Sequence, residues 1–285
     1  MVHTVGIVLH PKRDSAPALE TILKWAGNHG TSVLGLADDI ARIDCNAIPV
    51  DPETLASKST ILVSLGGDGT MLRSMRLAAG TKTAVLGVNL GKLGYLAEID
   101  VEDLPWALSA IDNKKFTLEQ RLAVRTTLPD GREVTAFNDI ALVRVPGDGS
   151  AAVGVGILGV PFVRYAADAV IVATPTGSTA YAFSAGGPIV SPNLEGVLVV
   201  PSSPHSSYNR ALMLSVDETL SLDVLERSGR LAVEVDGGVA TYVGPGDRLD
   251  VNAVPGAARV IRLGHTTFSE RARRKLRVTG SAEVD

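Results

Sequence analysis

The sequence predicts two domains, an α/β domain at the amino end and a mostly-β domain after it. In the first part of the chain, short apolar runs alternate with amphipathic segments of helical period, which is the pattern of βαβ units. After Phe116 the pattern changes to short strand-like runs separated by turns such as Pro129-Asp130-Gly131. A length of 285 residues and an apolar fraction of 45% are sufficient for two hydrophobic cores.

We assign residues 1–114 to the α/β domain and expect a Rossmann-like parallel sheet. The domain opens with a β-α-β unit, in which Ser15 and Pro17 mark the start of the helix and Gly27 or Gly30 its end. The predicted elements are strands at 5–9, 32–36, 61–65 and 84–88, a helix from Thr70, a helix from Pro105 to Ile111, and a loop with a short helix at 37–59.

We assign residues 115–264 to the mostly-β domain, which we expect to be a sandwich of packed sheets. One helix is expected near Ser178 and carries Tyr181. The basic run from Phe268 to Arg277 is predicted to be a helix with a solvated face. The predicted strands are at 117–128, 133–138, 140–145, 151–158 and 168–173, with further short strands from 197 to 263.

The composition limits the kinds of molecule that this protein is expected to bind. The net charge of −4 argues against a nucleic-acid binder, which usually displays a basic face. Cys45 is the only cysteine, so no internal disulfide is possible and nothing indicates an oxidising compartment. The longest apolar runs fall well short of the roughly 18 residues that cross a bilayer. We therefore expect a cytoplasmic protein that binds small molecules, with no nucleic-acid or membrane partner.

The first candidate site follows the strand at 61–65. There the chain runs through Gly66, Gly67, Asp68, Gly69 and Thr70 into an amphipathic helix. Glycines let backbone N–H groups approach a ligand, and a helix N-terminus directs its donors at an anion, so phosphate is the expected occupant. A carboxylate at such a site would hold magnesium or accept a proton from an attacking hydroxyl, and both are kinase roles. The alternative is a glycine-rich turn in which Asp68 only caps the helix.

Two further features accompany this turn. Arg73 lies one helical turn beyond Thr70 and could reach a phosphate, the alternative being an exposed arginine.

After a later strand, residues 174–188 contain four hydroxyl side chains, a proline and a glycine within their first six positions, which suits a rigid polar loop that hydrogen-bonds a nucleotide.

Together with other segments, these stretches resemble the NAD kinase family. The resemblance covers most of the chain and implies transfer of the ATP γ-phosphate to the 2′-hydroxyl of the adenosine ribose of NAD. It also implies Mg²⁺ held by the ATP phosphates, with a contribution of Asp68 left open, a homodimer or homotetramer, and a tail (265–285) that returns to the first domain. The shared segments are Gly-Gly-Asp-Gly-Thr at 66–70, Leu-Gly-Lys-Leu-Gly-Tyr-Leu at 90–96, Asn-Asp at 138–139, the loop 174–188, Pro-His-Ser at 204–206 with Asn-Arg at 209–210, and Val-Asp-Gly at 235–237.

The resemblance also implies individual roles. Asp68 would be the base that takes the proton of the ribose hydroxyl. Asn138 would bind the adenine of NAD and Asp139 the ribose hydroxyls, although both also favour turns. Asp236 is a weaker candidate, because Asp-Gly is a common hairpin signal. The implied phosphate-binding residues are Gly66, Gly67, Gly69, Thr70 and Arg73, and the implied NAD-binding residues are Asp68, Gly69, Asn138, Asp139, Asp168 (at the nicotinamide end), Thr176, Thr179, Ala180, Tyr181, Ser184 and Asp236.

Two departures from the family pattern concern the acceptor. Asp139 stands where the family usually has Glu, and Ala169 follows Asp168 where it usually has Gly. A related kinase with another hydroxyl acceptor therefore stays open. A nucleotide sensor without turnover is a separate hypothesis from another class. Asp68 argues against the sensor, because a site for binding alone would gain from removing that negative charge.

Overall fold

The computed structural model describes residues 3–43, 45–91, 94–264 and 266–277. The chain forms two compact units, the first made of residues 1–120 and 258–285 and the second of residues 121–257. Each has its own core, and the predicted combination of an α/β part and a mostly-β part is confirmed. Within the described ranges, no helix combines the length and the apolar character that a bilayer crossing requires.

The first unit is built on a parallel sheet with helices. Its strand order is β5-β4-β1-β2-β3, and β6 also pairs with β5. The elements, numbered along the chain, are β1 (Thr4–Leu9), α1 (Ala16–His29), β2 (Ser32–Leu36), α2 (Ala37–Ile40), β3 (Ile48–Val50), α3 (Pro52–Lys58), β4 (Ile61–Gly66), α4 (Asp68–Ala78), β5 (Ala84–Asn89), β6 (Ile99–Asp100) and α5 (Leu104–Asp112).

The central strands of this sheet are buried along their whole length, as the continuous apolar runs predict. Val63 of β4 lies between Ile7 of β1 and Leu86 of β5, and all three are fully buried. The strands are in parallel register, so β1, β4 and β5 end at the same edge. The loops that follow them therefore meet there, which is where open parallel sheets bind ligands.

Two elements of the first unit differ from the sequence prediction. The helix expected from Thr70 begins at Asp68, because Gly67 has an extended backbone (φ −110°, ψ −162°) and serves as the N-cap. The region predicted as loop with a short helix holds α2, α3 and the three-residue strand β3. Such a short strand, interrupted by Pro49 and paired only at the sheet edge, has no periodicity to detect.

The second unit is a sandwich of antiparallel strands. A six-stranded sheet has the order β14-β13-β12-β9-β16-β17, and β11, β10 and β15 pair in that order in the other sheet. The elements are β7 (Thr117–Thr127), which begins in the first unit, β8 (Glu133–Ala136), β9 (Asp139–Arg144), β10 (Ala151–Ile157), β11 (Val160–Ala167), β12 (Ala169–Ala173), α6 (Tyr181–Ser184), β13 (Val197–Ser202), β14 (Leu212–Leu214), β15 (Leu220–Val224), β16 (Leu231–Val235) and β17 (Gly238–Val243).

The core of the second unit joins both sheets. Leu142 of β9 and Val172 of β12 lie in one buried cluster with Val153 of β10 and Leu222 of β15. The strand β11 was not predicted, because Pro161 and a mostly exposed first half break the expected alternation; proline is tolerated there since β11 is an edge strand.

The chain returns to the first unit through β18 (Arg248–Arg262), whose Arg259 and Val260 pair with β5 in parallel. The helix α7 (Phe268–Leu276) follows. Thr267 and Glu270 form a capping box at its start, each side chain bonding the backbone N–H of the other.

Candidate functional site

Asp68 occupies the first turn of α4, directly after β4, and its side chain is partly exposed. Its carboxylate accepts hydrogen bonds from two backbone N–H groups of the loop after β5. Tyr95 donates to Oδ2 at 3.0 Å and to Oδ1 at 3.1 Å, and Leu96 donates to Oδ1 at 3.1 Å. Among the described residues, Oδ2 receives only the shared N–H of Tyr95, so it keeps a lone pair for a further donor.

The loop after β5 fits closely against Asp68. A β-carbon on Gly94 would lie 2.6 Å from Cγ of Asp68 and would overlap Oδ1, so any larger residue would displace the carboxylate or the loop. The start of the loop is fixed by Asn89, whose side chain accepts from the N–H of Gly91 at 3.1 Å and donates to its carbonyl at 2.7 Å. Lys92 and Leu93 of the predicted 90–96 motif lie outside the described residues.

The three glycines of the turn have different surroundings. A β-carbon on Gly66 would lie 2.7 Å from Cβ of Thr70, so packing requires this glycine. The hydroxyl of Thr70 is buried, with no hydrogen-bond partner among the described residues. Among the residues that the structure describes, Arg13 alone comes within 4 Å of such a carbon at Gly67, and none does so at Gly69. The backbone of Gly67 and Gly69 is therefore accessible to a ligand.

Arg13, in the loop after β1, brings a cation to this turn. A β-carbon on Gly91 would lie 2.7 Å from its Nη1 and one on Gly67 3.8 Å, so the guanidinium lies beside both glycines. His10 fixes the loop, since its Nδ1 accepts from the N–H groups of Lys12 and Arg13 at 3.0 Å. Burial and the neighbouring cations lower the pKa of His10, which favours the neutral ring that can accept these bonds.

Arg73 has a structural partner. Its Nη1 lies 3.1 Å from Oδ2 of Asp39, whose side chain is almost fully buried and also accepts from the N–H of Leu9 at 3.1 Å. The arginine therefore compensates a buried charge beside β1. Its predicted contact with phosphate stays a prediction.

In the second unit, Asp236 organises the segment that contains Asn138 and Asp139. Asp236 and Gly237 form the β16–β17 turn, with φ values of 49° and 79°, as the Asp-Gly hairpin signal predicts. The Asp236 carboxylate accepts from the backbone N–H groups of Phe137 at 3.3 Å, Asn138 at 2.6 Å and Asp139 at 3.3 Å. Asp236 thus anchors this segment, and its direct contact with NAD stays a prediction.

Asp139 is a buried carboxyl at the start of β9, with 2% of its surface exposed. Burial raises its pKa to about 7, and the charges of Asp236 and Glu234 act in the same direction. Near neutral pH both protonation states are therefore populated. The group can accept a hydrogen bond from a hydroxyl in one state and donate one in the other.

The loop 174–179 is fastened to the same segment. Thr174 donates through Oγ1 to the carbonyl of Phe137 at 2.5 Å and through its N–H to that of Asn138 at 2.9 Å. Gly177 has no room for a β-carbon, which would lie 2.5 Å from the carbonyl carbon of Asn138. Thr176 is nearly buried and its Oγ1 accepts from Nη1 of Arg121 at 3.4 Å.

The remaining predicted residues follow in the chain. Residues 176–179 form a 3₁₀ turn, and α6 begins at Tyr181. Burial raises the pKa of Tyr181, and the charges of Glu234, Asp168 and Asp139 act in the same direction, whereas a hydrogen bond with Ser202 acts against them. Asp168 is half-exposed and pairs with Arg144 at 2.5 Å. Hydrogen bonds join the segments that carry Asn138, Asp139, Thr176 and Asp236, whereas Asp168 lies at the opposite end of β12 from Ala173, the residue that pairs with Asp139. Thr179 and Ala180 are partly buried and Ser184 is exposed.

Three charged residues near these sites escaped the sequence analysis. Arg13 follows the first parallel strand, a position that could have been flagged by the rule that loops at carboxyl strand ends bind ligands. Glu234 is a charged residue within an otherwise apolar strand, and this break in the pattern could have marked it as a candidate site residue. Arg121 is buried inside β7, and nothing in its neighbours along the chain indicates this.

Comparison with known proteins identifies the family to which these features belong. A family model described as the ATP-NAD kinase N-terminal domain matches residues 46–116, and one described as the ATP-NAD kinase C-terminal domain matches residues 137–263. The chain is 35% identical over 316 residues to NAD kinase 1 of Streptomyces avermitilis, covering 98% of this chain and 88% of that protein. It is 35% identical over 276 residues to the NAD kinase of Mycobacterium tuberculosis, covering 94% and 89%.

Solved structures show the same fold. Yeast NADH kinase, crystallised with NADH, superposes with a TM-score of 0.83 at 23% identity, covering all of this chain and 90% of that one. An NAD kinase from Archaeoglobus fulgidus in complex with ATP gives a TM-score of 0.75 at 24% identity, covering 97% and 100%. The resemblance noted in the sequence is confirmed, and the chain belongs to the ATP-NAD kinase family.

Proposed function

We propose that the chain is an ATP-dependent NAD kinase, which transfers the γ-phosphate of ATP to the 2′-hydroxyl of the adenosine ribose of NAD. The observation that carries this proposal is the Asp68 carboxylate. It is partly exposed, held by two backbone donors, and placed at a helix N-terminus whose glycines leave the backbone open. Phosphoryl transfer needs alignment and charge neutralisation more than covalent work by the protein, and this arrangement supplies both.

The first unit supplies the site for the phosphate donor. The N–H groups at the start of α4 bind the phosphate oxygens, and the helix dipole favours their negative charge. The guanidinium of Arg13 lies beside Gly67 and Gly91 and adds a cation next to these N–H groups. Arginine suits this role because its planar set of donors matches phosphate oxygens.

Asp68 aligns the attacking hydroxyl. Oδ2 accepts a hydrogen bond from the 2′-hydroxyl, and as the new oxygen–phosphorus bond forms and the bond to the ADP oxygen breaks, the proton passes to the carboxylate. The Asp68 proton then leaves to solvent. Tyr95 and Leu96 keep the carboxylate in place throughout.

We include Mg²⁺ in this proposal as an ion that the ATP phosphates bind and whose charge would neutralise theirs. Within the described ranges of the chain, no group of three or more His, Cys, Asp or Glu side chains could hold a metal ion. Asp68, with free acceptor capacity beside the phosphate turn, suits the arrangement in which Mg²⁺ takes one carboxylate together with substrate phosphates. It would bind the ion directly or through water.

The second unit supplies the site for NAD. Asn138 hydrogen-bonds the adenine, Asp139 the ribose hydroxyls, and Asp168 lies toward the nicotinamide end. Thr176, Thr179, Ala180, Tyr181 and Ser184 line the dinucleotide. The anchoring of this segment by Asp236 supports these assignments, because a preorganised turn loses little entropy when the ligand binds. From family membership alone, we also propose that the protein is cytoplasmic and that it assembles as a homodimer or homotetramer.

One assay separates this proposal from its alternatives. The purified chain is incubated with ATP, magnesium and a panel of acceptors that includes NAD and NADH, and products are identified by mass. We expect NAD to gain one phosphate at the adenosine ribose. A product formed only from another hydroxyl compound would instead identify a kinase with a different acceptor. Binding of NAD and ATP without any product would identify a sensor.

A further inference from the structure

The helix α7 carries a buried arginine within a basic run. The charge run predicts a solvated helix face, and Arg271 departs from this prediction. Arg271 has only 4% of its surface exposed, whereas Arg273, Arg274 and Lys275 are exposed. A guanidinium leaves water only when other groups satisfy its donors and its charge, so the surroundings of Arg271 require an explanation.

Arg271 is bonded almost entirely to one short segment of the first unit. Its Nη1 donates to the carbonyl of Ala97 and, at 3.5 Å, toward that of Tyr95. Its Nη2 lies 3.2 Å from Oε2 of Glu98 and donates to the carbonyl of Thr266 at 2.9 Å. The guanidinium therefore holds residues 95–98 from one side.

Glu98 makes this attachment rigid. Its side chain is 1% exposed, and its Oε2 also lies 2.8 Å from Nη1 of Arg262, while Oε1 accepts from the N–H of Leu263 at 2.8 Å. Arg262 in turn lies 3.0 Å from Glu119. The N–H of Glu98 donates to the carbonyl of Gly87 in β5 at 2.9 Å. The segment is thus fixed to the central sheet and to the end of β18.

The other side of the same segment holds Asp68. The N–H groups of Tyr95 and Leu96 are the two donors to its carboxylate. The carbonyl of Tyr95 and the N–H of Leu96 belong to one peptide group, so Arg271 approaches one end of this group and Asp68 binds the other. Hydrogen bonds arranged in series polarise one another, which strengthens the bond to the carboxylate.

We propose that Arg271 is a positioning residue for phosphoryl transfer: by holding the backbone of residues 95–97, it keeps two N–H donors on Asp68 and so fixes the carboxylate that receives the hydroxyl proton. The proposal rests on the proposed role of Asp68. Arg271 does not contact substrate in this scheme. Its loss should therefore affect the rate of the chemical step more than the binding of either substrate.

The test compares Arg271→Lys and Arg271→Gln with Arg273→Gln, a matched change on the exposed face of the same helix. Each is made in the full chain, alone and combined with Asp68→Asn, and kcat and KM for ATP and NAD are measured together with thermal unfolding. Arg271→Lys keeps a cation beside Glu98 and is expected to fold even if Arg271→Gln does not.

We expect both Arg271 variants to lower kcat about 10- to 100-fold, because small displacements of a reacting group have effects of this size. Both KM values should change less than about 3-fold, and Arg273→Gln should match the unsubstituted chain. Combined with Asp68→Asn, the Arg271 substitutions should have almost no further effect, since they act through that carboxylate.

An unchanged kcat in folded Arg271→Lys would overturn the proposal, and so would an equal loss of rate with and without Asp68→Asn. The latter would identify a merely structural arginine. Full activity of Asp68→Asn alone would instead show that Asp68 is not the base. Because this variant leaves Arg271 unchanged, that outcome contradicts the proposed function and not the role of Arg271.

Discussion

Replacing Asp139 by asparagine should stabilise the chain at alkaline pH and change little at acidic pH. The side chain is 2% exposed, and burial, followed by the charges of Asp236 and Glu234, raises its pKa from 3.8 to about 7. Between these values the folded chain holds a proton that the unfolded chain has released. Stability contributed by this group is therefore complete below pH 3.8 and is lost as pH rises toward 7.

The size of this effect follows from the pKa difference. From 3.8 to about 7 is roughly 3 units, and each unit corresponds to about 1.4 kcal/mol, which gives a loss on the order of 4 kcal/mol above pH 7. Asparagine has nearly the same shape and carries no charge. The Asp139→Asn chain should escape this loss.

Urea unfolding of both chains from pH 4 to pH 8 measures the difference directly. The gain in unfolding free energy of Asp139→Asn should be near zero at pH 4, increase up to about pH 7 and stay constant above it. Asp217→Asn, in an exposed loop, is the control and should show no such increase. A gain that does not depend on pH would refute the reasoning, because it would show that the buried carboxyl is not the group that titrates.

Four further predictions concern activity. Asp68→Asn should keep NAD affinity within an order of magnitude and lower kcat by at least about 10²-fold; full activity would remove Asp68 from its role. Asp139→Ala should raise KM for NAD more than KM for ATP in steady-state assays, and equal effects would mean that the acceptor site is placed wrongly. Gly94→Ala places a β-carbon against the Asp68 carboxylate and should lower kcat by at least about 10-fold, whereas an unchanged rate would show that the loop adapts freely. Arg13→Gln should raise KM for ATP while Arg13→Lys, which keeps the charge, raises it less; a selective effect on KM for NAD would contradict the assignment.

The fold was predictable where the physical signal is local. Short apolar runs rich in β-branched residues, such as 61–65, indicate buried strands where turn residues bound them. A glycine at the end of a helix pattern, Gly30 in a left-handed conformation, stops the helix. The strand β11 was missed because an edge strand may expose apolar residues and contain proline. The burial of Arg271 was missed because it depends on Glu98, far away along the chain.

The candidate site was predictable in its residue types and less so in their contacts. Asp68 and Asn138 were selected through motifs, and their roles toward ATP and NAD stay predictions. The hydrogen bonds from Tyr95 and Leu96 could not be read from the sequence, because backbone donors carry no residue signature. The role of Asp236 as an anchor was hidden for a similar reason, as its partners are three backbone amides.

The corner formed by Asp236 has a consequence for engineering. Its left-handed backbone, with φ of 49°, is one that glycine adopts more easily, so Asp236→Gly would relax the hairpin. The same change would release the segment that carries Asn138, because the carboxylate that restrains it would be gone. Three backbone N–H groups would lose their acceptor, which costs more stability than the relaxed hairpin gains, so Asp236 is best left unchanged in libraries that select for heat resistance.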